Sequence, residues 1–142
     1  MPALTPFHLA FPVHDLEAAR SFYKDVIGCG QGREADTWID FDMFGHQVVA
    51  HLDRDMDAQK RIANPVDGDQ VPVPHFGVVL SMDDWNALAE RLKARRDIHW
   101  VIEPKVRFRG EPGEQATMFI LDPSGNALEF KAFADMGNLF AT

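Results

Sequence analysis

The part of the chain that most constrains its fold is Asp122-Pro123-Ser124-Gly125-Asn126-Ala127-Leu128-Glu129. Its first four residues have a type I turn signature, with Asp first, Pro second and Gly fourth. Residues 127–133 then read as a strand, in which side chains alternate between two faces. Glu129 and Lys131 share one face, and their apolar neighbours lie on the other. The stretch therefore predicts a turn followed by a strand that carries Glu129 on its polar face.

A weaker copy of this turn occurs earlier, at Asp42-Met43-Phe44-Gly45, which also has Asp first and Gly fourth. The same offset along the chain pairs Val49 with Glu129 and Thr37 with Thr117. Internal matches at a fixed offset indicate that one structural unit is repeated. We therefore expect two similar halves, each containing a hairpin of this kind.

Each half also begins with a strand that carries a histidine. Residues 7–13 alternate so that His8 and Ala10 share one face, while the apolar side chains occupy the other. The strand predicted at His75–Met82 places His75 and Gly77 on a common face in the same way. A small residue beside each histidine leaves space over the sheet at both positions.

Helical spacing follows each of these strands. Asp15 is a plausible N-cap for a first helix that ends at Gly28 and Gly30, and Ser81 or Asp83 for a second. The inner face of the first helix is predicted to consist of Leu16, Ala19, Tyr23, Val26 and Ile27. The inner face of the second helix is predicted to consist of Trp85, Leu88, Ala89 and Leu92. Further strands are predicted at 37–41, 47–52, 100–103, 106–107, 117–121 and 127–133. The order is β-α-β-β-β, twice, which predicts an α+β fold with helices on one face of the sheet.

The other face would then display His8, His75 and Glu129. Two neutral imidazoles and one carboxylate form a known ligand set for a divalent metal with open coordination positions. A single strand histidine is more often a hydrogen-bonded structural residue. Three such residues at equivalent repeat positions on one predicted face favour a metal site.

The composition limits the other possibilities. The 142 residues suggest one domain, with a first module at about 5–53, a linker without clear structure at about 54–74 and a second module at about 75–134. The linker is predicted to fold over the site.

A net charge of −8 disfavours a nucleic-acid surface, which needs clustered cations. Cys29 is the only cysteine, residues 1–7 show no signal-peptide pattern, and no apolar run is long enough for a membrane span. We expect a soluble cytoplasmic protein without membrane or nucleic-acid partners.

Three parts of the sequence carry a family resemblance: the His8 strand with Asp15-Leu16 and Phe22-Tyr23, the His75 strand, and the Asp122–Glu129 stretch. Together they make the chain resemble the vicinal oxygen chelate superfamily. This superfamily includes glyoxalase I, bleomycin and fosfomycin resistance proteins and type I extradiol dioxygenases. The resemblance covers nearly the whole chain. It implies paired βαβββ modules forming a curved, cupped sheet around a divalent metal, with His8, His75 and Glu129 as ligands. It also implies a small-molecule substrate chelated through adjacent oxygens, and a homodimer.

Members similar to glyoxalase I use a fourth protein ligand late in the first module, where this chain has Val49. Valine cannot ligate, so the pattern favours the His-His-carboxylate arrangement of an Fe(II) dioxygenase; Ni(II), Zn(II) and Mn(II) are alternatives. His51 lies two residues further on. With a register shift it would be the fourth ligand of a glyoxalase-type lyase or isomerase, and otherwise it is a candidate general base. A drug-binding resistance protein without catalysis is the third alternative.

Four further residues are candidate substrate contacts. Lys131 shares the predicted site face with Glu129 and would meet an anionic group, or simply pair with a nearby acid. Arg107 offers a forked donor for a carboxylate, although a solvated edge strand would look the same. Trp38 and Phe119 would line the pocket or serve as packing.

Overall fold

The computed structural model describes residues 4–56 and 62–142. These two ranges form two compact units. The first unit contains β1 (His8–Val13), α1 (Leu16–Arg20), β2 (Gly30–Ala35), β3 (Trp38–Met43) and β4 (His46–Leu52). A π-helical segment, Ser21–Ile27, continues α1. The strands lie in the order β1-β4-β3-β2, with β1 parallel to β4 and the other pairs antiparallel.

The helical segment of the first unit covers one face of its sheet. The Asp15 carboxylate accepts from the Ala18 amide at 3.0 Å, which confirms the predicted N-cap. The segment ends at Gly28, whose φ of 93° suits glycine. The Tyr23 ring is fully buried and packs on Phe11 and Phe41 of the sheet. Residues that alternate with these two phenylalanines, including His8, therefore lie on the face without the helix.

The second unit begins with a hairpin, β5 (Ile62–Val66) and β6 (Asp69–Val73). It continues with β7 (Phe76–Val79), α2 (Met82–Lys93), β8 (His99–Arg107), β9 (Gln115–Leu121) and β10 (Ala127–Phe133), and a 3₁₀ turn follows at Met136–Asn138. The order β7-β10-β9-β8, with β7 parallel to β10, repeats the topology of the first unit.

Helix α2 packs on β10. The Ser81 hydroxyl caps the helix by accepting a hydrogen bond from the Asp84 amide at 3.1 Å. Ser81, and not Asp83, is therefore the N-cap. The Trp85 indole donates to the Phe130 carbonyl at 2.9 Å, and Leu88 and Leu92 are buried beside it. Because Leu128 and Phe130 of β10 serve the core, Glu129 and Lys131 lie on the face opposite the helix.

The two βαβββ units confirm the predicted α+β fold, although several elements differ from the prediction. The position of strand β2 was not predicted, because its sequence, GQGREA, has neither apolar alternation nor strand propensity. The predicted linker is not without structure, since residues 62–73 form a hairpin, while residues 57–61 lie outside the described ones. The turn at Phe44-Gly45 is not type I, because both φ angles are positive, at 51° and 89°.

The type I turn predicted at Asp122-Pro123-Ser124-Gly125 is confirmed. The Gly125 amide donates to the Asp122 carbonyl at 3.0 Å, as a type I turn requires. The connection from β9 to β10 is one residue longer than the connection from β3 to β4. Five residues separate the paired Leu121 and Ala127, whereas four separate the equivalent pair, Asp42 and Gln47. As a consequence Trp38, and not Thr37, takes the place of Thr117.

No helix in residues 4–56 and 62–142 has both the length and the apolar character that a membrane crossing requires.

Candidate metal centre

Glu129 lies at the centre of the helix-free face of the second unit. It is 9% exposed and stands between Gly77 on β7 and Phe119 on β9. Gly77 approaches β10 so closely that an added Cβ would overlap the Glu129 carbonyl oxygen and lie 2.6 Å from the carbonyl carbon. The glycine predicted to leave space beside His75 is therefore also required for the pairing of β7 with β10.

His75 converges on this carboxylate from the residue just before β7. Its Nε2 lies 3.3 Å from Glu129 Oε1, and its Nδ1 lies 2.6 Å from the Pro72 carbonyl oxygen. The Phe119 ring and the imidazole form a T-shaped contact, with centroids 4.8 Å apart and planes at 78°. The imidazole is thus held at both nitrogens and on one side of its ring.

These contacts fit a bound cation. A carbonyl oxygen only accepts hydrogen bonds, so Nδ1 carries the hydrogen that it donates to Pro72. In the neutral imidazole, Nε2 then points a lone pair at a carboxylate oxygen, and these two acceptors repel each other unless a proton or a metal ion lies between them. A neutral imidazole with its second nitrogen bonded to a carbonyl is the usual state of a histidine ligand.

Two further side chains contact the Glu129 carboxylate. The Thr117 hydroxyl donates to Oε2 at 2.5 Å, and Lys131 Nζ lies 3.8 Å from Oε1. Thr117 is fully buried, so it fixes the carboxylate and leaves Oε1 on the His75 side. Sequence reasoning did not identify Thr117 as a site residue, because only the register of β9 against β10 brings it beside Glu129.

The pair carries complementary pKa shifts. The Glu129 carboxylate raises the pKa of His75 above its ordinary 6.5, although burial opposes this. Burial by itself raises the pKa of Glu129. Hydrogen bonds from His75 and Thr117, together with the charge of Lys131, outweigh burial and hold this pKa below its ordinary 4.5.

We expect these shifts to contribute to the pH dependence of the free energy of unfolding of the metal-free protein. The His75 contribution is present below pH 6.5 and is lost as the pH rises through the raised pKa; the Glu129 contribution is present above pH 4.5 and is lost as the pH falls through the lowered one. The pair thus stabilises most between these two values. Thermal unfolding in chelator should show this plateau, and His75→Gln should remove its alkaline limb whereas the exposed His99→Gln should not. An unchanged limb in His75→Gln would contradict the assignment.

In the first unit, His8 is exposed at the start of β1, and its Nδ1 lies 2.9 Å from Gln47 Oε1. Because the amide oxygen accepts, this contact leaves the lone pair on Nε2, as in His75. Ala10 pairs with Val49 as Gly77 pairs with Glu129, so Val49 does occupy the place that the repeat gave it. Taken singly, neither unit gathers three His, Cys, Asp or Glu side chains around one point within its described residues.

His51 lies two residues beyond Val49 and pairs directly with Trp38 across β3 and β4. The register of β4 is continuous with both of its neighbours, so the shift that would move His51 into the place of Val49 is not present. His51 is exposed and Trp38 is half-buried. Both lie on the face of the sheet that carries His8.

The remaining predicted substrate contacts differ in their surroundings. Lys131 is about one-third exposed and borders a cavity of about 500 Å³ whose walls include Gln115 and Phe108. Phe119 is 1% exposed and packs with Val71 and Ile102, so it reaches the site as a support for His75. Arg107 is 2% exposed and bonded to the β5–β6 hairpin, and we do not retain it as a substrate contact because no substrate would reach it.

Comparison with known proteins agrees with this architecture. The sequence profile of the Glyoxalase/Bleomycin resistance protein/Dioxygenase superfamily matches residues 5–130. The chain belongs to this superfamily. A glyoxalase/bleomycin resistance protein/dioxygenase from Alicyclobacillus acidocaldarius is 32% identical, with a TM-score of 0.79 over 96% of each chain. The resemblance to the vicinal oxygen chelate superfamily, which includes these proteins, is thereby confirmed.

Two other relatives are more distant. The metallothiol transferase FosB of Lysinibacillus sphaericus (strain C3-41) is 22% identical over 123 residues, which are 87% of this chain and 78% of that protein. The fosfomycin resistance protein FosX of Listeria monocytogenes is 16% identical, with a TM-score of 0.66 over 97% of this chain and 98% of that one. The FosX likeness establishes the shared fold. Membership of this superfamily supports a metal-dependent function.

Proposed function

We propose that this protein is a divalent-metal enzyme that chelates a small anionic substrate through adjacent oxygens. His75 and Glu129 would hold the metal, and His8, at the equivalent place in the first repeat, would be the third ligand. The observation that carries the proposal is the pair of facing acceptor atoms, His75 Nε2 and Glu129 Oε1, 3.3 Å apart. When bound, the metal would act as a Lewis acid that stabilises negative charge on the substrate oxygens.

The first candidate reaction is a dioxygenase-like oxidation with Fe(II). It is supported by Val49, which stands where a fourth protein ligand would be needed, so that a His-His-Glu set would leave neighbouring positions for two substrate oxygens. His51 is our candidate for proton transfer, since its exposed imidazole lies on the same face of the sheet as His8. Trp38, paired with His51, would then contact the substrate.

The second candidate is the transfer of a thiol to an anionic electrophile, since one relative is named a metallothiol transferase. Lys131 favours it, because an ammonium group beside the metal ligand Glu129 suits an anionic substrate. A FosX structure contains Mn(II) and 1S,2S-dihydroxypropylphosphonic acid, which makes Mn(II) a reasonable metal to test. A glyoxalase-type reaction with Ni(II) or Zn(II) is less well supported, given the continuous register at His51.

One set of assays separates these functions. Metal analysis of protein purified without added metal tests whether the protein binds a divalent metal ion. Protein loaded anaerobically with Fe(II) is then given a catechol panel with oxygen electrode detection, and Mn(II)-loaded protein is given fosfomycin with a panel of thiols. Oxygen uptake supports the dioxygenase, and thiol adducts support the transferase. If neither occurs and His8→Ala and His75→Ala still bind a drug ligand, the protein is a binding protein and the enzymatic proposal fails.

Lys131→Met should raise KM for an anionic substrate by about 10-fold or more while leaving metal content unchanged, because one charge-assisted contact is typically worth about 1.5–3 kcal/mol. The comparison of KM with kcat makes the measurement specific. Lys93→Met, on the exposed end of α2, is the matched control. Equal KM values in wild type and Lys131→Met would remove Lys131 from the substrate site.

We also expect a cytoplasmic homodimer. Uncovered edge strands need a partner, and β1 and β7 are edge strands within the described sheets. Light scattering on the purified protein tests the dimer.

A further inference from the structure

The β5–β6 hairpin is tied to the end of β8 by a cluster of polar contacts. Lys105 Nζ lies 2.8 Å from Asp69 Oδ2, and Arg107 Nη2 lies 3.4 Å from the same oxygen. Arg107 Nη1 donates to the Val66 carbonyl at 2.6 Å, and the Phe108 amide donates to the Asp67 carboxylate at 3.0 Å. We name these contacts the hairpin clamp.

Arg107 is the unusual member of the clamp. Its side chain is 2% exposed, and neither its Nε nor its Nη2 makes a hydrogen bond. A buried cation with incomplete hydrogen bonding is costly, and hydrophobic residues often stabilise such places better. Tight packing of the hairpin alone does not explain a buried arginine, whereas precise positioning of the hairpin does.

The hairpin connects the clamp to His75 by two routes. Along the chain, Asp69 is followed by Val71 and Pro72, and the Pro72 carbonyl accepts the Nδ1 hydrogen of His75. Through the core, Val71 packs with Ile102 and Phe119, and the Phe119 ring supports the His75 ring. Both restraints on the imidazole therefore depend on where the hairpin lies.

We propose that the hairpin clamp, centred on Asp69 and Arg107, positions His75 as a metal ligand by holding the Pro72 carbonyl against Nδ1. The proposal rests on the proposed function, since His75 must ligate for its orientation to matter. Asp69 and Arg107 are positioning residues that act through Pro72 and Phe119. Loss of such outer contacts typically weakens metal binding by about 10- to 100-fold.

The test compares Asp69→Asn with wild type by two measurements. Long-range ¹⁵N NMR at about pH 9, where a free imidazole is neutral, reports which His75 nitrogen carries the hydrogen without any metal. Titration with Mn(II) chloride gives the dissociation constant. Asp69→Asn should convert the single Nδ1–H tautomer into a mixture and weaken Mn(II) binding about 10-fold or more. Asp69→Glu, which retains the carboxylate, should recover most of both.

Controls keep the outcomes distinct. Asp97→Asn breaks an exposed Arg95–Asp97 pair, 2.8 Å apart, and should change neither measurement. Lys105→Met removes one cation from Asp69 while leaving buried Arg107 in place, and it replaces Asp69→Asn if that variant does not fold. Wild-type tautomer and Mn(II) affinity in a folded clamp variant would overturn the proposal. If wild type bound neither Mn(II) nor anaerobically added Fe(II), the proposed function would be refuted, while the tautomer measurement would still judge the clamp.

Discussion

Glu129→Gln should reduce the affinity for Mn(II) by at least about 100-fold, and turnover with it, while the fold is retained. Glutamine has the same shape as glutamate, and its amide oxygen still accepts the Thr117 hydroxyl that now bonds to Oε2 at 2.5 Å. Its amide nitrogen would stand 3.3 Å from His75 Nε2, where it donates to the lone pair that a metal would need. The substitution thus removes the negative charge and also blocks the second ligand.

The same variant has a second, independent readout. The carboxylate is the main cause of the raised pKa of His75, and burial acts against it. In Glu129→Gln the pKa of His75 should therefore fall, and an NMR titration of the ring protons measures this without any metal. Glu103→Gln, which changes an exposed carboxylate on β8, is the matched control. Full Mn(II) affinity in Glu129→Gln would exclude Glu129 as a ligand.

The position of Glu129 on the helix-free face could be predicted from sequence, because it depends on local chemistry. The turn residues fix where β10 begins, and strand alternation then sets the face on which the carboxylate lies. The equivalence of His8 with His75 and of Val49 with Glu129 followed from the repeat, and the strand register confirms it. These inferences require no knowledge of which segments meet in space.

The surroundings of Glu129 depend on contacts between distant segments, which periodicity does not encode. Thr117 reaches the carboxylate because β9 and β10 pair in one register. The β5–β6 hairpin could not be anticipated, because its Pro and Gly residues are typical of an irregular connection, and its attachment depends on Arg107, 41 positions from Val66. Burial of Arg107 was likewise unpredictable, since arginine is rarely buried without a paired group.

Gly77→Ala should strongly destabilise the second unit. The added Cβ would overlap the Glu129 carbonyl oxygen and lie 3.1 Å from the Glu129 amide nitrogen, and these backbone atoms have no rotamer by which to move away. Strand β7 must then separate from β10, which costs about 3 kcal/mol or more, the upper range for overpacking. Because His75 directly precedes β7, Mn(II) affinity should fall together with the free energy of unfolding.

Gly113→Ala provides the control for this change. A Cβ at Gly113 meets nothing within 4 Å, so the same methyl group should alter the free energy of unfolding by less than about 0.5 kcal/mol. Urea unfolding followed by tryptophan fluorescence measures both variants. If Gly77→Ala matched Gly113→Ala in stability, the close pairing of β7 with β10 would be wrong. The 3.3 Å approach of His75 to Glu129, which depends on that pairing, would lose its basis.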